Sequence, residues 1–233
     1  MPRGFSVALL GGDGAGKTTV GRRLTEDLAA RMTYIYMGIN PSSSSHQLPT
    51  TRLVNRIRGR TSGRNPDGGA PGTDRRRGGL KAALRTVSMP LRLGHRLAEE
   101  WYRQVIAWRA MLRGRIVLYD RHFFFDYHAT DIDRSRDRSM SRRIHGWMLE
   151  HVYPRPNLVI YLDAPPEVLF ARKGEGTLES LAARRSEYRA FRSTIRHFLE
   201  VDATQPIDAV VDQVKAAINH YEEHRSLPAP AAA

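Results

Sequence analysis

Gly11-Gly12-Asp13-Gly14-Ala15-Gly16-Lys17-Thr18 constrains this 233-residue chain more than any other stretch. It fits G-x-x-x-x-G-K-[ST], the pattern of a phosphate-binding P-loop. Its neighbours supply the context that the pattern needs. Phe5-Ser6-Val7-Ala8-Leu9-Leu10 reads as a buried strand before it. Thr19 to Arg31 reads as a helix after it, with apolar or small residues at Val20, Leu24, Leu28 and Ala29. In such a loop, glycines let successive N–H groups turn around a phosphate, and the helix N-terminus adds its positive end. Lys17 can reach the β- and γ-phosphates, and the Thr18 hydroxyl can ligate Mg²⁺. The alternative is a glycine turn that only joins a strand to a helix. The expectation is a chain that binds a nucleoside triphosphate with Mg²⁺.

Strands alternating with helices follow along the rest of the chain. Thr33–Met37, Arg115–Asp120 and Asn157–Asp163 read as strands, with a short one near Glu200–Asp202. Helices are expected over Leu80–Arg113, Ser139–Val152, from Pro165 onward, over Leu178–Leu199, and from Pro206 to about His220. Pro90 and Gly94 are expected to break or kink the first of these, and Trp101 and Trp108 to lie in the core. This alternation predicts an α/β fold: a doubly wound, parallel, five-stranded sheet of the P-loop nucleotide-kinase type with a long basic insertion. One domain spans 1–225. A flexible basic loop occupies 40–79, with a short helix at Leu53–Ile57, and residues 226–233 form a disordered tail.

Charge is concentrated. The net charge is +13, and residues 52–115 hold 16 Lys and Arg against 4 Asp and Glu. Such a segment suits phosphates, nucleic acid or an acidic surface, or it is a solvated loop. No single-strand or helix-turn-helix signature supports nucleic acid. There are no cysteines, which excludes disulfides, thiolate metal sites and cysteine nucleophiles. No apolar run approaches the roughly 18 residues of a membrane span. The first strand starts at once and leaves no room for a signal peptide, so a cytoplasmic protein is expected.

Two hydrophobic strands end in an acid, Asp120 and Asp163, and either suits Mg²⁺. Asp120 is favoured, because Arg121 follows it and suits phosphate. Asp163 precedes Ala164-Pro165-Pro166, where helix capping would account for it. His122 is the one histidine beside the site, and a ligand role is not expected of it. The charge-dense run Asp131–Arg138 is read as a solvated loop, with acceptor recognition by Arg134 or Arg138 as the alternative. The cluster Arg172, Lys173, Arg184, Arg185 and Arg189 suits neutralisation of a transferring phosphate, and helix-surface charge explains most of it equally well.

Gly11 to Thr19 with its acid at Asp13, Asp120-Arg121-His122, Leu158 to Val168, and Val201-Asp202-Ala203 together resemble the thymidylate kinase family of nucleoside monophosphate kinases. The resemblance covers residues 5–37 and 115–220. It implies transfer of the γ-phosphoryl group of ATP to a nucleoside monophosphate such as dTMP. It also implies roles for single residues. Gly11, Gly12, Asp13, Gly14, Ala15, Gly16, Lys17, Thr18 and Thr19 would hold the donor, with Asp202 and Ala203 near adenine. Thr18 and Asp120 would serve the metal. Asp13 would sit between phosphoacceptor and Mg²⁺, and Arg121 would hold the acceptor phosphate. A mobile lid would fall at Arg172–Thr177, with Arg172 close to the donor. A homodimer is implied by analogy, with the Leu80–Leu112 helices offering an apolar face.

The acceptor side departs from that family. Its Arg-Glu-Pro element is replaced here by Met37-Gly38-Ile39-Asn40-Pro41, and Phe123–His128 lacks its serine and tyrosine–glutamine pattern. Two further readings therefore stay open. One is a kinase of a non-nucleotide small molecule, such as a sugar or glycan precursor. The other, suggested by the basic 52–115 segment, is a nucleic-acid-associated or regulatory P-loop NTPase.

Overall fold

The computed structural model describes residues 4–38, 48, 78–133 and 139–225, with side chains in the 78–92 stretch excepted. The expected short helix at 53–57, nearly all of the 40–79 loop, Arg134, Arg138 and the 226–233 tail lie outside the described residues.

Five parallel strands form one sheet in the order β2-β3-β1-β4-β5. They are β1 (Ser6–Gly11), β2 (Met32–Tyr36), β3 (Ile116–Asp120), β4 (Leu158–Asp163) and β5 (Phe198–Asp202). The register aligns Leu9 with Asp120 and Gly11 with Leu162, so the glycine loop and both strand-end acids emerge at one sheet edge. β1, β3 and β4 are buried along their whole length, which is why their sequences are continuous apolar runs.

Helices cover both faces. Side chains alternate across β1, and the two faces gather separate cores. Val7 and Leu9 pack with Val20 and Leu24 of α1 (Lys17–Asp27), and with Val214 and Ile218 of the terminal helix Ile207–His224. Ala8 and Leu10 pack with Ala107 and Ala110 of α2 (Gly78–Leu112), with Phe123 and Phe125 of the short α3 (Phe123–Asp126), and with Leu149 of α4 (Met140–His151). A π-helical turn, His128–Ile132, links α3 to α4. Along the remaining chain, α5 (Pro166–Lys173) and α6 (Leu178–Ala190) precede β5, and α7 is Ile207–His224.

Three expectations are corrected. α2 runs unbroken through Pro90 and Gly94. A Cβ on Gly94 would meet nothing within 4 Å, so that glycine costs helix propensity without disturbing packing. Trp108 is 37% exposed rather than in the core, whereas Trp101 is half-buried and packs against the core, as expected; α2 buries Glu99, Glu100, Arg103 and Gln104 alongside Ala107 and Ala110. The helix expected over 178–199 ends at Ala190, and Phe198 and Leu199 belong to β5. No helix among the described residues is long and apolar enough to cross a membrane.

Candidate functional site

The Gly11–Thr18 loop leaves β1 and enters α1 through two left-handed glycines, Gly14 (φ +91°) and Gly16 (φ +86°). Gly14 also lies against α5: a Cβ there would come within 2.8 Å of the Leu169 carbonyl. Both positions therefore require glycine. Gly16 caps α1 without a side chain, which leaves the first-turn N–H groups open to an external acceptor. Ala15 is buried, and its N–H bonds Gly12 O at 3.2 Å. Gly12 lies against Leu169, and Thr19 is exposed on the first turn of α1.

Lys17 folds back onto its own loop. Its Nζ donates to Gly11 O at 2.8 Å and Gly12 O at 2.7 Å, and the residue is only 6% exposed. Burial, aided by the nearby Arg121 charge, pushes its pKa down to about 8. An anion in the loop would relieve that cost.

Asp120 ends β3 directly beneath the loop. Thr18 Oγ1 donates to Asp120 Oδ2 at 2.8 Å, and Tyr34 Oη donates to the same oxygen at 2.5 Å. Burial and the Asp120 charge push the Tyr34 phenol well above its ordinary value. Asp120 is 2% exposed, and its Oδ1 has no hydrogen-bond partner among the described residues. A buried acceptor in that state costs free energy unless something fills it.

Asp163, the other strand-end acid, is fully engaged elsewhere. It accepts from Arg185 at 2.8 and 2.6 Å, from Arg189 at 3.1 Å and from Tyr161 at 2.8 Å. Burial alone would raise its pKa, but these partners hold it below the ordinary value. Nor does it cap α5, whose N-cap is Pro165 with no side-chain bond. The expected capping role is thus replaced by an ion pair to α6, so Arg185 and Arg189 are more than surface charge.

Arg121 is the one non-glycine residue with positive φ among the described residues, at 67°. Its Nη2 donates to Asp13 Oδ1, and its Nη1 lies 3.8 Å from Asp126 Oδ1. Gly38 makes room for it, since a Cβ there would come within 2.7 Å of Arg121 Cδ. Asp13 also lies 3.8 Å from Lys173 Nζ; burial opposes its ionisation, yet Arg121, Lys17 and Lys173 hold its pKa low. His122 is buried and accepts the Phe124 N–H at 3.3 Å, which caps α3. Burial, with Arg155 nearby, lowers its pKa to about 3, so it is a neutral structural cap.

Of the residues that the resemblance set near the nucleotide, Arg172 and Ala203 meet each other. Arg172 Nη1 donates to Ala203 O at 2.8 Å, and Ala203 N donates to Asp163 O at 2.7 Å. A Cβ on Gly14 would lie 3.5 Å from Arg172 Cβ, which sets that arginine beside the loop. Asp202 is exposed and holds the Thr204 N–H at 2.9 Å and hydroxyl at 2.6 Å, shaping the turn after β5. The expected lid contains two left-handed glycines, Gly174 (φ +68°) and Gly176 (φ +81°), and Lys173 pairs with Glu175 at 2.8 Å. Between this stretch and the loop lies a cavity of about 290 Å³, bordered by Asp13, Arg121, Glu175, Arg184 and Tyr188.

Several participants were not visible in the sequence. Tyr34 sits mid-strand with no motif. Asp126 reads as the end of an aromatic run, yet it is 4% exposed, and burial raises its pKa despite the Arg121 charge. Asp131, expected in a solvated loop, is buried and bonds His145 Nδ1 at 2.6 Å, while His145 Nε2 lies 3.0 Å from Glu100. No group of three or more His, Cys, Asp or Glu able to hold a metal occurs among the described residues. No family model matches the chain.

Proposed function

We propose that the chain is an ATP- and Mg²⁺-dependent phosphotransferase acting on a small molecule. The observation that carries this reading is the buried, unpartnered Asp120 Oδ1 beside the Thr18 hydroxyl, at the mouth of a glycine loop that holds a buried lysine. One carboxylate and one hydroxyl suit a hard cation that keeps its remaining ligands from water and phosphate, as Mg²⁺ does. The donor set therefore fits that ion, and Thr18 and Asp120 are the residues that would hold it. The bound ion would neutralise charge on the β- and γ-phosphate oxygens.

The chain's own groups account for the remainder. Open N–H groups at the start of α1 bind the phosphates. Lys17 exchanges its two carbonyl contacts for phosphate oxygens, a change that stabilises its charge. Arg172, tied to Ala203, borders the donor side. Arg121 and Asp13 stand where the loop meets the acceptor. Catalysis in such a site is positioning and charge neutralisation.

For the acceptor, the resemblance to thymidylate kinases favours a nucleoside monophosphate such as dTMP. A second reading, a non-nucleotide hydroxyl compound, is favoured by one observation: Arg121 is already flanked by two carboxylates, Asp13 and Asp126. Any role of the basic 52–115 segment in binding nucleic acid rests on charge alone. The test is ADP release from Mg·ATP by the purified chain across nucleoside monophosphates, nucleosides, sugars and polyols. Acceptor-dependent release that disappears in Lys17→Ala supports phosphotransfer; release that survives the substitution sinks it.

A further inference from the structure

Resting on the phosphotransfer reading, we propose that the acceptor is a neutral hydroxyl compound and that Asp126 is the carboxylate that receives its proton.

Three observations converge on Asp126. It closes α3, six residues beyond Asp120. It is buried, and its Oδ1 has no hydrogen-bond partner among the described residues. The neighbouring cation, Arg121 Nη1, stands 3.8 Å away, too far to donate a hydrogen bond yet close enough to compensate charge. The oxygen therefore keeps a lone pair that wants an O–H or N–H donor. The charge of Asp126 is felt by Lys17, Arg121, Arg184 and Tyr188, and the last three border the cavity beside Asp13. Asp126 thus stands next to the place where a γ-phosphate would lie against Lys17.

Arg121 explains why the acceptor is not itself a phosphate. A phosphomonoester dianion needs an arginine with charge to spare. Here the guanidinium is hydrogen-bonded to Asp13 and faces Asp126. An incoming dianion would have to draw Arg121 away from Asp13 and would lie beside two carboxylates. A hydroxyl brings no charge and supplies the donor that Asp126 Oδ1 lacks. The left-handed backbone of Arg121 aims the side chain between the two acids, a strain of the kind kept at functional sites. Burial raises the basicity of Asp126, the direction that suits a proton acceptor.

The step balances. The acceptor hydroxyl oxygen forms a bond to Pγ of ATP. The bond from Pγ to the β,γ-bridging oxygen breaks, and ADP leaves with that electron pair. The hydroxyl proton passes to Asp126 Oδ1 and then to solvent. Products are the phosphate ester and ADP.

The experiment measures ADP release from Mg·ATP by the full chain and by Asp126→Asn and Asp126→Glu. The probes are deoxythymidine, a set of monosaccharides, glycerol and inositol on one side, and dTMP, dUMP and AMP on the other. ATP affinity of each protein is measured in parallel. The proposal expects at least a tenfold stimulation by one neutral probe and none by the monophosphates. Asp126→Asn lowers that rate about 100-fold or more and flattens the acidic limb of the pH profile, with ATP affinity within twofold. Asp126→Glu, which keeps a carboxylate, recovers part of the rate. Stimulation by monophosphates alone, by no probe at all, or equally in Asp126→Asn overturns the proposal. If ATP binding persists in those cases, the phosphotransfer reading stands without it; if the unaltered chain binds no ATP, that reading itself falls.

Discussion

Replacing Lys17 by methionine should make the nucleotide-free chain more stable while abolishing its function. At pH 7 the folded state must hold the ammonium in a buried loop, and its pKa falls from 10.5 to about 8. That shift corresponds to about 3 kcal/mol opposing folding. Methionine removes this cost but forfeits the donors that now reach Gly11 O and Gly12 O, worth about 1–2 kcal/mol. The net expectation is a gain of about 1–2 kcal/mol at pH 7. The pH dependence fixes the cause. Between pH 8 and 10.5 the folded state binds fewer protons than the unfolded state, so the parent chain gains stability as pH rises through that window. The methionine variant has no such gain, and its advantage should shrink by about 2 kcal/mol by pH 9.5. Urea denaturation without nucleotide or magnesium, at pH 7 and 9.5, reads both quantities. A variant less stable than the parent at pH 7, or an advantage independent of pH, would refute the reasoning.

Two other substitutions probe the frame around the site. Asp120→Asn should lower the affinity for ATP in Mg²⁺ at least about tenfold and leave affinity in EDTA unchanged; equal losses in both conditions would contradict a metal role. His145→Gln should destabilise the fold by about 1–3 kcal/mol, because it removes the partner that Asp131 and Glu100 share, while Arg96 and Tyr153 still hold the two carboxylates. Burial opposes the charge on His145, but its bonds to both carboxylates raise its pKa above 6.5. Its stabilising contribution is therefore complete below about pH 6.5 and is lost as pH rises through the elevated value, so the gap between parent and variant should narrow at alkaline pH.

The sequence made the sheet legible because its central strands are buried on both faces and cannot hide their apolar runs. The loop was legible because glycine is demanded by backbone conformation, and Lys17 and Thr18 follow at fixed spacing. The choice between Asp120 and Asp163 rested on their neighbours in sequence, and the structure separates them by partners: Thr18 and Tyr34 for one, two arginines for the other. Other features depend on contacts far apart in the chain. Asp126 gains its meaning from burial against Arg121, which no local pattern encodes. On α2, Trp108 was expected in the core, but the helix buries Ala107 and Ala110 together with polar residues instead. Glu99, Glu100 and Arg103 are among them, and His145 and Tyr153 reach Glu100 Oε2 from elsewhere in the fold. The aromatic residues were left partly outside.

The central claim is that this loop binds a nucleoside triphosphate through Lys17. The most direct measurement is calorimetric titration of the full chain with Mg·ATP, beside the Lys17→Met variant. The account predicts a dissociation constant between about 1 μM and 1 mM for the parent chain, the range in which enzymes commonly hold their substrates. It predicts no measurable heat for the variant, which remains folded. Absence of binding by the parent chain, or equal binding by the variant, would contradict it.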